Sequence, residues 1–172
     1  DVLYGGAGNE YYILGGWGDD RIFGGAGSDR DLFGGSGSDQ IWGDEDTSDP
    51  AFTMVNYAGD DFLAGEGGDD FLYGGGGNDA MTGGPGNDML RGASGRDFLY
   101  GDAGNDRLYG NGGNDELIGG SNVDRLYGGL GNDRLDGGAS NDYLWGELGD
   151  DTLKGGNGRD QMYGLAGNDV FY

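Results

Sequence analysis

The sequence predicts an all-β fold, a solenoid of two thin parallel sheets. Three observations predict it. Asp returns every nine residues over most of the chain, an apolar residue stands two places behind each Asp, and glycine, 45 of 172 residues, fills the turns between. From Asn56 to Tyr172 the chain divides without a gap into thirteen nonapeptides. Position 6 is Asp in all of them: Asp61, Asp70, Asp79, Asp88, Asp97, Asp106, Asp115, Asp124, Asp133, Asp142, Asp151, Asp160 and Asp169. Position 8 is apolar in all of them, from Leu63, Leu72 and Met81 to Leu153, Met162 and Phe171. Position 1 is Gly except at Asn56, and position 4 is Gly except at Asn122 and Ser140. A fixed short period marks a stack of small units, none of which can bury its apolar face alone.

Each unit reads as a six-residue glycine turn followed by a minimal strand at positions 7 to 9, pointing out, in, out. Gly at positions 1 and 4 is expected to supply backbone conformations that side chains forbid. Successive strands fall on opposite sides of the coil. Alternate ones stack at about 4.8 Å, so the thirteen-repeat block is about 30 Å long. No segment has a helical pattern, which excludes a βαβ crossover fold. Residues 1–42 carry the motif less regularly, with turns from Gly5, Gly15, Gly24 and Gly34 and acids at Glu10, Asp20, Asp29 and Asp39. Residues 43–55 fit no repeat and are expected to form a loop that interrupts the pairing of turns. Its Asp44, Glu45, Asp46 and Asp49 read as solvated. Residues 1–172 are expected to form a single repeat domain belonging to a larger protein, since the chain opens on the tail of a repeat.

Charge narrows the partners. The chain has 32 acidic against 9 basic residues, a net charge of −23, which argues against nucleic acid and against an anionic membrane surface. It has no His and no Cys, which removes thiol chemistry, imidazole catalysis and the usual ligands of zinc, copper or iron. Oxygen donors remain, and they suit calcium, magnesium or manganese. Carboxylates stacked about 4.8 Å apart repel by roughly 3.5 kcal/mol per pair at an effective dielectric of about 20. A cation is therefore expected between them. The Ser and Thr residues have no base partner, and paired carboxylates are spoken for as turn ligands, so no enzyme activity is expected.

The strings GGAGSD (24–29), GGGGNDAMT (74–82), GGPGNDMLR (83–91) and GGLGNDRLD (128–136) carry a resemblance. The chain resembles the RTX (repeats-in-toxin) calcium-binding nonapeptide repeats over nearly everything outside 43–55. The resemblance implies a right-handed parallel β-roll, a β-helix solenoid with calcium between turn n and turn n+2 on each edge. In similar proteins one turn gives the carbonyls of positions 2 and 4 plus its Asp, and the other gives the carbonyls of positions 1 and 3 plus its Asp. One ion would then see Gly75, Gly77 and Asp79 with Gly92, Ser94 and Asp97. The next would see Gly84, Gly86 and Asp88 with Gly101, Ala103 and Asp106. Asp20, Asp29 and Asp39 would join the thirteen Asp residues of the regular block as ligands. Thirteen turns leave about eleven sites in 56–172, with a few more in 1–55, and about 22 positive charges to set against the −23. Glu10, Asn122 and Ser140 depart from the motif and are expected to distort the sites they touch.

The same resemblance implies a calcium-binding module of a secreted bacterial protein, exported by type I secretion and folding on calcium outside the cell, in the medium or at the cell surface. Two alternatives stand beside it: a spacer or assembly unit of an adhesin, surface layer or filament, and an accessory module of a secreted enzyme. Position 9 of alternate repeats adds Tyr73, Arg91, Tyr109, Tyr127, Trp145 and Tyr163, an outward column on one sheet. Cross-strand stacking accounts for it. The other reading is a contact face centred on Tyr109, Tyr127 and Trp145, for a neighbouring domain, lateral self-association or a polysaccharide.

Overall fold

A computed structural model of the chain describes residues 1–7, 9, 12–26, 29, 32–43 and 59–172. Among these residues eighteen strands alternate between two parallel nine-stranded sheets. The odd sheet holds β1 (Val2–Ala7), β3 (Arg21–Ala26), β5 (Gln40–Trp42), β7 (Phe71–Gly76), β9 (Met89–Ser94), β11 (Arg107–Gly112), β13 (Arg125–Leu130), β15 (Tyr143–Leu148) and β17 (Gln161–Ala166). The even sheet holds β2 (Ile13–Trp17), β4 (Leu32–Ser36), β6 (Phe62–Gly67), β8 (Ala80–Pro85), β10 (Phe98–Ala103), β12 (Glu116–Ser121), β14 (Arg134–Ala139), β16 (Thr152–Asn157) and β18 (Val170–Phe171). The architecture is the β-solenoid that the repeat predicts. Its core is one side chain deep: Leu63, Leu72, Met81, Leu90 and their successors to Leu153 are buried, joined by Ile22, Leu32 and Ile41.

The structure corrects the expected strands. Most have six residues rather than three and run through positions 7, 8, 9, 1, 2 and 3. The chain stays extended past the apolar residue, but the ladder skips position 1. In β10 against β12, Phe98, Leu99 and Tyr100 pair with Glu116, Leu117 and Ile118, and pairing resumes at Asp102 with Gly120. The break is the corner of the coil. Left-handed backbone occurs at positions 2 and 4, as at Gly75 (φ 111°) and Gly77 (φ 132°), not at positions 1 and 4. Position 2 adopts it even where it is not glycine, at Glu66, Ala93, Asp102, Asn111, Glu147 and Leu165.

The inserted loop is also placed differently. Gly43 takes position 1 of the turn that ends at Asp61. A β-carbon on Gly43 would lie 2.3 Å from the Asp61 Oδ2, the relation position 1 has elsewhere. The insertion therefore falls inside one turn, between Gly43 and Gly59. It does not interrupt the stacking of turns: Asp29 N–H donates to Asp61 Oδ1 and Asp39 N–H to Asp70 Oδ1 across it, while β4 pairs with β6 and β5 with β7. Glu10, Asp44, Glu45, Asp46, Asp49 and Asn56 lie outside the described residues.

Candidate metal centre

Position 6 stands where each turn enters its strand, so the Asp residues stack in two columns, one along each edge of the roll. Turns entering odd strands carry Asp20, Asp39, Asp70, Asp88, Asp106, Asp124, Asp142 and Asp160. Turns entering even strands carry Asp29, Asp61, Asp79, Asp97, Asp115, Asp133, Asp151 and Asp169. Within a column each Asp donates its backbone N–H to the Oδ1 of the Asp one coil ahead. Asp88 to Asp106, Asp106 to Asp124 and Asp97 to Asp115 all measure 2.8 Å. These bonds fix turn n against turn n+2, the pairing the sequence implies.

The second oxygen is the unusual one. Asp20, Asp39, Asp61, Asp70, Asp88, Asp97, Asp106, Asp115, Asp124, Asp133, Asp142 and Asp151 are buried, and none of their Oδ2 atoms meets a hydrogen-bond donor. A buried carboxylate oxygen without a donor is costly unless it is protonated or meets a cation. Burial accordingly pushes the carboxyl of Asp124 up to about 8, those of Asp88, Asp97 and Asp133 to about 7, and those of Asp61, Asp70, Asp106 and Asp142 to about 6. In each the backbone N–H partly opposes the shift, and nearby carboxylates add to it.

Glycine builds the space around these oxygens. At Gly101 the backbone is not left-handed. Glycine is needed there because a β-carbon would lie 2.5 Å from the Oδ2 of Asp106 and 2.6 Å from the carbonyl oxygen of Gly119 in the next coil. The position-6 carboxylate of one turn and the position-1 carbonyl of the turn above it thus converge on one point. Position 4 gives the complementary half. A β-carbon on Gly104 would lie 1.4 Å from the Gly86 carbonyl oxygen and 3.2 Å from the Asp106 Oδ1. No group of three or more His, Cys, Asp or Glu side chains placed to hold a metal ion forms among the described residues. Any bound cation would take most of its ligands from backbone carbonyls, which favours a large, hard ion with flexible geometry over one that demands a strict octahedron. The residues fit calcium.

The predicted ligands fall in two classes. Gly75, Gly77, Gly84 and Gly86, at positions 2 and 4, are all left-handed; Gly92, Ser94, Gly101 and Ala103, at positions 1 and 3, lie in β9 and β10 one coil ahead in their columns. The two departures at position 4 follow the glycine conformation, Asn122 at φ 79° and Ser140 at φ 99°.

The outward column of the odd sheet is longer than its C-terminal half suggests. In register it runs Tyr4, Phe23, Trp42, Tyr73, Arg91, Tyr109, Tyr127, Trp145, Tyr163. Ring centroids of Tyr109 and Tyr127 are 4.8 Å apart, and those of Tyr127 and Trp145 are 4.5 Å apart, with planes nearly parallel. Arg91 lies over Tyr109, and Arg125 over Tyr143. Tyr4, Phe23 and Trp42 were findable by the same rule, one place past an apolar core residue. Positions 7 and 9 of the odd strands carry no Asp or Glu. On the even sheet, charges are matched instead, Arg134 with Glu116 at 3.2 Å and Lys154 with Asp136 at 2.7 Å.

The family model of the RTX calcium-binding nonapeptide repeat matches the chain in overlapping copies over residues 1–31, 31–47, 56–90, 82–117, 91–124, 118–153 and 145–172. Comparison with curated proteins gives no match. Stacked turns, carboxylates facing backbone carbonyls and the family match agree, and the chain belongs to the RTX calcium-binding nonapeptide repeat family.

Proposed function

We propose that this chain is a non-catalytic, calcium-responsive module of a secreted bacterial protein, unfolded where calcium is scarce and folded outside the cell after type I export. One observation carries the reading: two files of buried carboxylates whose Oδ2 atoms meet no donor. Without a cation the fold must desolvate and protonate them. With one ion between successive turns of each column, the ligand sets are those named above, beginning with Gly75, Gly77 and Asp79 against Gly92, Ser94 and Asp97. Eleven such ions in the regular block would nearly neutralise the chain. Binding to the folded form alone couples the metal to stability. The absence of His and Cys, and the commitment of the Asp columns to the turns, support a module without catalysis.

The test is far-UV circular dichroism in chelator, then through a calcium titration with magnesium as the control. The expected result is a disordered spectrum that turns cooperatively to β in calcium and stays disordered in magnesium at the same concentration. A β spectrum that persists in chelator at neutral pH overturns the reading.

The aromatic outer face of the odd sheet, with no Asp or Glu at positions 7 and 9 of its strands, supports a second reading, a structural unit that associates side by side through Tyr109, Tyr127 and Trp145. Tyr, Trp and Arg are the residues enriched at protein contacts, and Asp and Glu the ones depleted. Sedimentation in calcium of the wild type and of the triple Ala variant tests it. Concentration-dependent assembly lost in the variant supports it. A monomer at every concentration overturns it, and binding of a polysaccharide or a neighbouring domain by the same face would reassign it.

A further inference from the structure

The odd-strand turn column has one faulty step. Besides the Asp-to-Asp bond, two further rungs join successive turns. In the first, the N–H of position 4 donates to the carbonyl of position 3 one coil ahead. Gly68 to Pro85, Gly86 to Ala103 and Ser140 to Asn157 are examples at 3.0, 2.8 and 2.7 Å. In the second, the N–H of position 5 donates to the position-5 side chain one coil behind, as Asn105 does to Asn87 and Arg159 to Asn141.

Between the turns 119–124 and 137–142 both rungs are missing. No described group accepts the Asn122 N–H, although Ala139 stands in the position to do so. Position 5 of the earlier turn is Val123, which has no acceptor to offer Asn141. Of the three rungs only the Asp124 N–H to Asp142 Oδ1 bond, at 2.9 Å, remains, beside the β12–β14 ladder at Gly120–Gly138 and Ser121–Ala139.

The cause is steric. At position 4 a β-carbon points at the carbonyl of the turn behind, at 1.4 Å for Gly104 and 1.6 Å for Gly158. Asn122 and Ser140 carry that carbon, so their turns must back away. The rung behind Asn122, Gly104 to Ser121, is stretched to 3.2 Å, and the rung behind Ser140 is lost. It is restored at 2.7 Å once Gly158 follows. The even-strand column supplies a control. There Arg96 also denies an acceptor to the next turn, yet Gly95 and Gly113 occupy position 4 and the Gly95 to Gly112 rung holds at 2.8 Å.

We infer that the cation site between turns 119–124 and 137–142 is the weakest of its column, the last to fill and the first to open. The inference rests on the calcium reading above. By the same scheme its carbonyls come from Gly120 and Asn122 below and Gly137 and Ala139 above. The rung that would hold the Ala139 carbonyl against the turn below is the one lost. The roll therefore answers calcium in two steps, with this seam closing at a higher concentration than its neighbours.

Hydrogen exchange of the whole chain during a calcium titration tests this. The expected result is exchange at least roughly tenfold faster in 137–142 than in 128–133 at intermediate calcium, with the difference gone at saturation. The combined variant Asn122→Gly, Val123→Asn, Ser140→Gly restores both rungs and is expected to abolish the difference. The reverse graft, Gly86→Asn, Asn87→Val, Gly104→Ser, is expected to create a second slow-closing seam between 83–88 and 101–106. Equal exchange in the wild type, or a difference the restoring variant leaves intact, overturns the inference. Exchange that ignores calcium everywhere overturns the calcium reading instead, and the seam contrast stays readable in that case.

Discussion

Two turns of this molecule depart from the nonapeptide in opposite ways. The turn that ends at Asp61 takes an insertion between Gly43 and Gly59 and keeps its place in the stack: Asp29 still reaches Asp61, the Gly59 N–H still donates to the Gly76 carbonyl, β4 still pairs with β6, and β5 still pairs with β7 through Gln40, Ile41 and Trp42. The turn at 137–142 keeps its length and replaces one glycine by Ser140, and it loses a rung to the turn behind it. The long excursion keeps the rung that one carbon atom removes. The difference shows where the fold is specified. Chain length between fixed points is cheap because loop closure rises only with the logarithm of length. Space at positions 1 and 4 is scarce, because the carboxylate of the same turn and carbonyl oxygens of adjacent coils already fill it.

The sharpest way to test that contrast is to add the carbon elsewhere. Gly104→Ala places a β-carbon 1.4 Å from the Gly86 carbonyl oxygen in a left-handed backbone at φ 153°. It is expected to destabilise the calcium-loaded roll by roughly 2–5 kcal/mol, read from thermal unfolding. An unchanged melting temperature would mean that neighbouring coils move apart freely.

Next in size is the pH response without calcium. Eight of the buried Asp residues, Asp61, Asp70, Asp88, Asp97, Asp106, Asp124, Asp133 and Asp142, have folded values raised from about 4 to between about 6 and 8, so the folded form holds more protons than the unfolded one in that interval. The metal-free roll is therefore expected to be most stable below about pH 4 and to lose that stability as pH rises through about 6 to 8. In chelator, acidification should bring β structure back. A spectrum indifferent to pH in chelator would remove the carboxylates from the account.

Asp106→Asn should separate charge from shape. The amide keeps an oxygen for the Asp88 N–H but brings no charge. It is expected to raise the calcium midpoint while easing folding in chelator. A fall in both would mark Asp106 as a packing residue alone. The smallest effect belongs to the insertion. Replacing 44–58 by two residues, the number a regular turn has there, should stabilise the roll by at most about 2 kcal/mol and leave the calcium midpoint in place.

The period carried most of this into the sequence. Asp at position 6 and Leu at position 8 announce the columns and the core because each has one place to be in a stack. The role of position 1 was not legible. Its glycine looks like a conformational need, and only the fold shows that the Asp five residues later occupies the space a side chain would take. Position 2 misled in the other direction: Glu66, Asp102 and Leu165 conceal a left-handed backbone that glycine would have advertised. The insertion was visible, but its place inside a turn was not, since Gly43 and Gly59 become neighbours of one coil only when the strands on both sides are paired.

Strict alternation of strands between the sheets gives the repeats a parity. Tyr4 and Tyr163 lie in one column because an even number of repeats separates them, the inserted segment notwithstanding. Loss or duplication of a single nonapeptide would leave the core and the turns intact and move every later outward side chain to the opposite face, dividing the aromatic file in two. Gain or loss of two would shift nothing. Variation in repeat number that preserves the surface must therefore proceed by whole coils of eighteen residues, the separation of paired strands within the regular block.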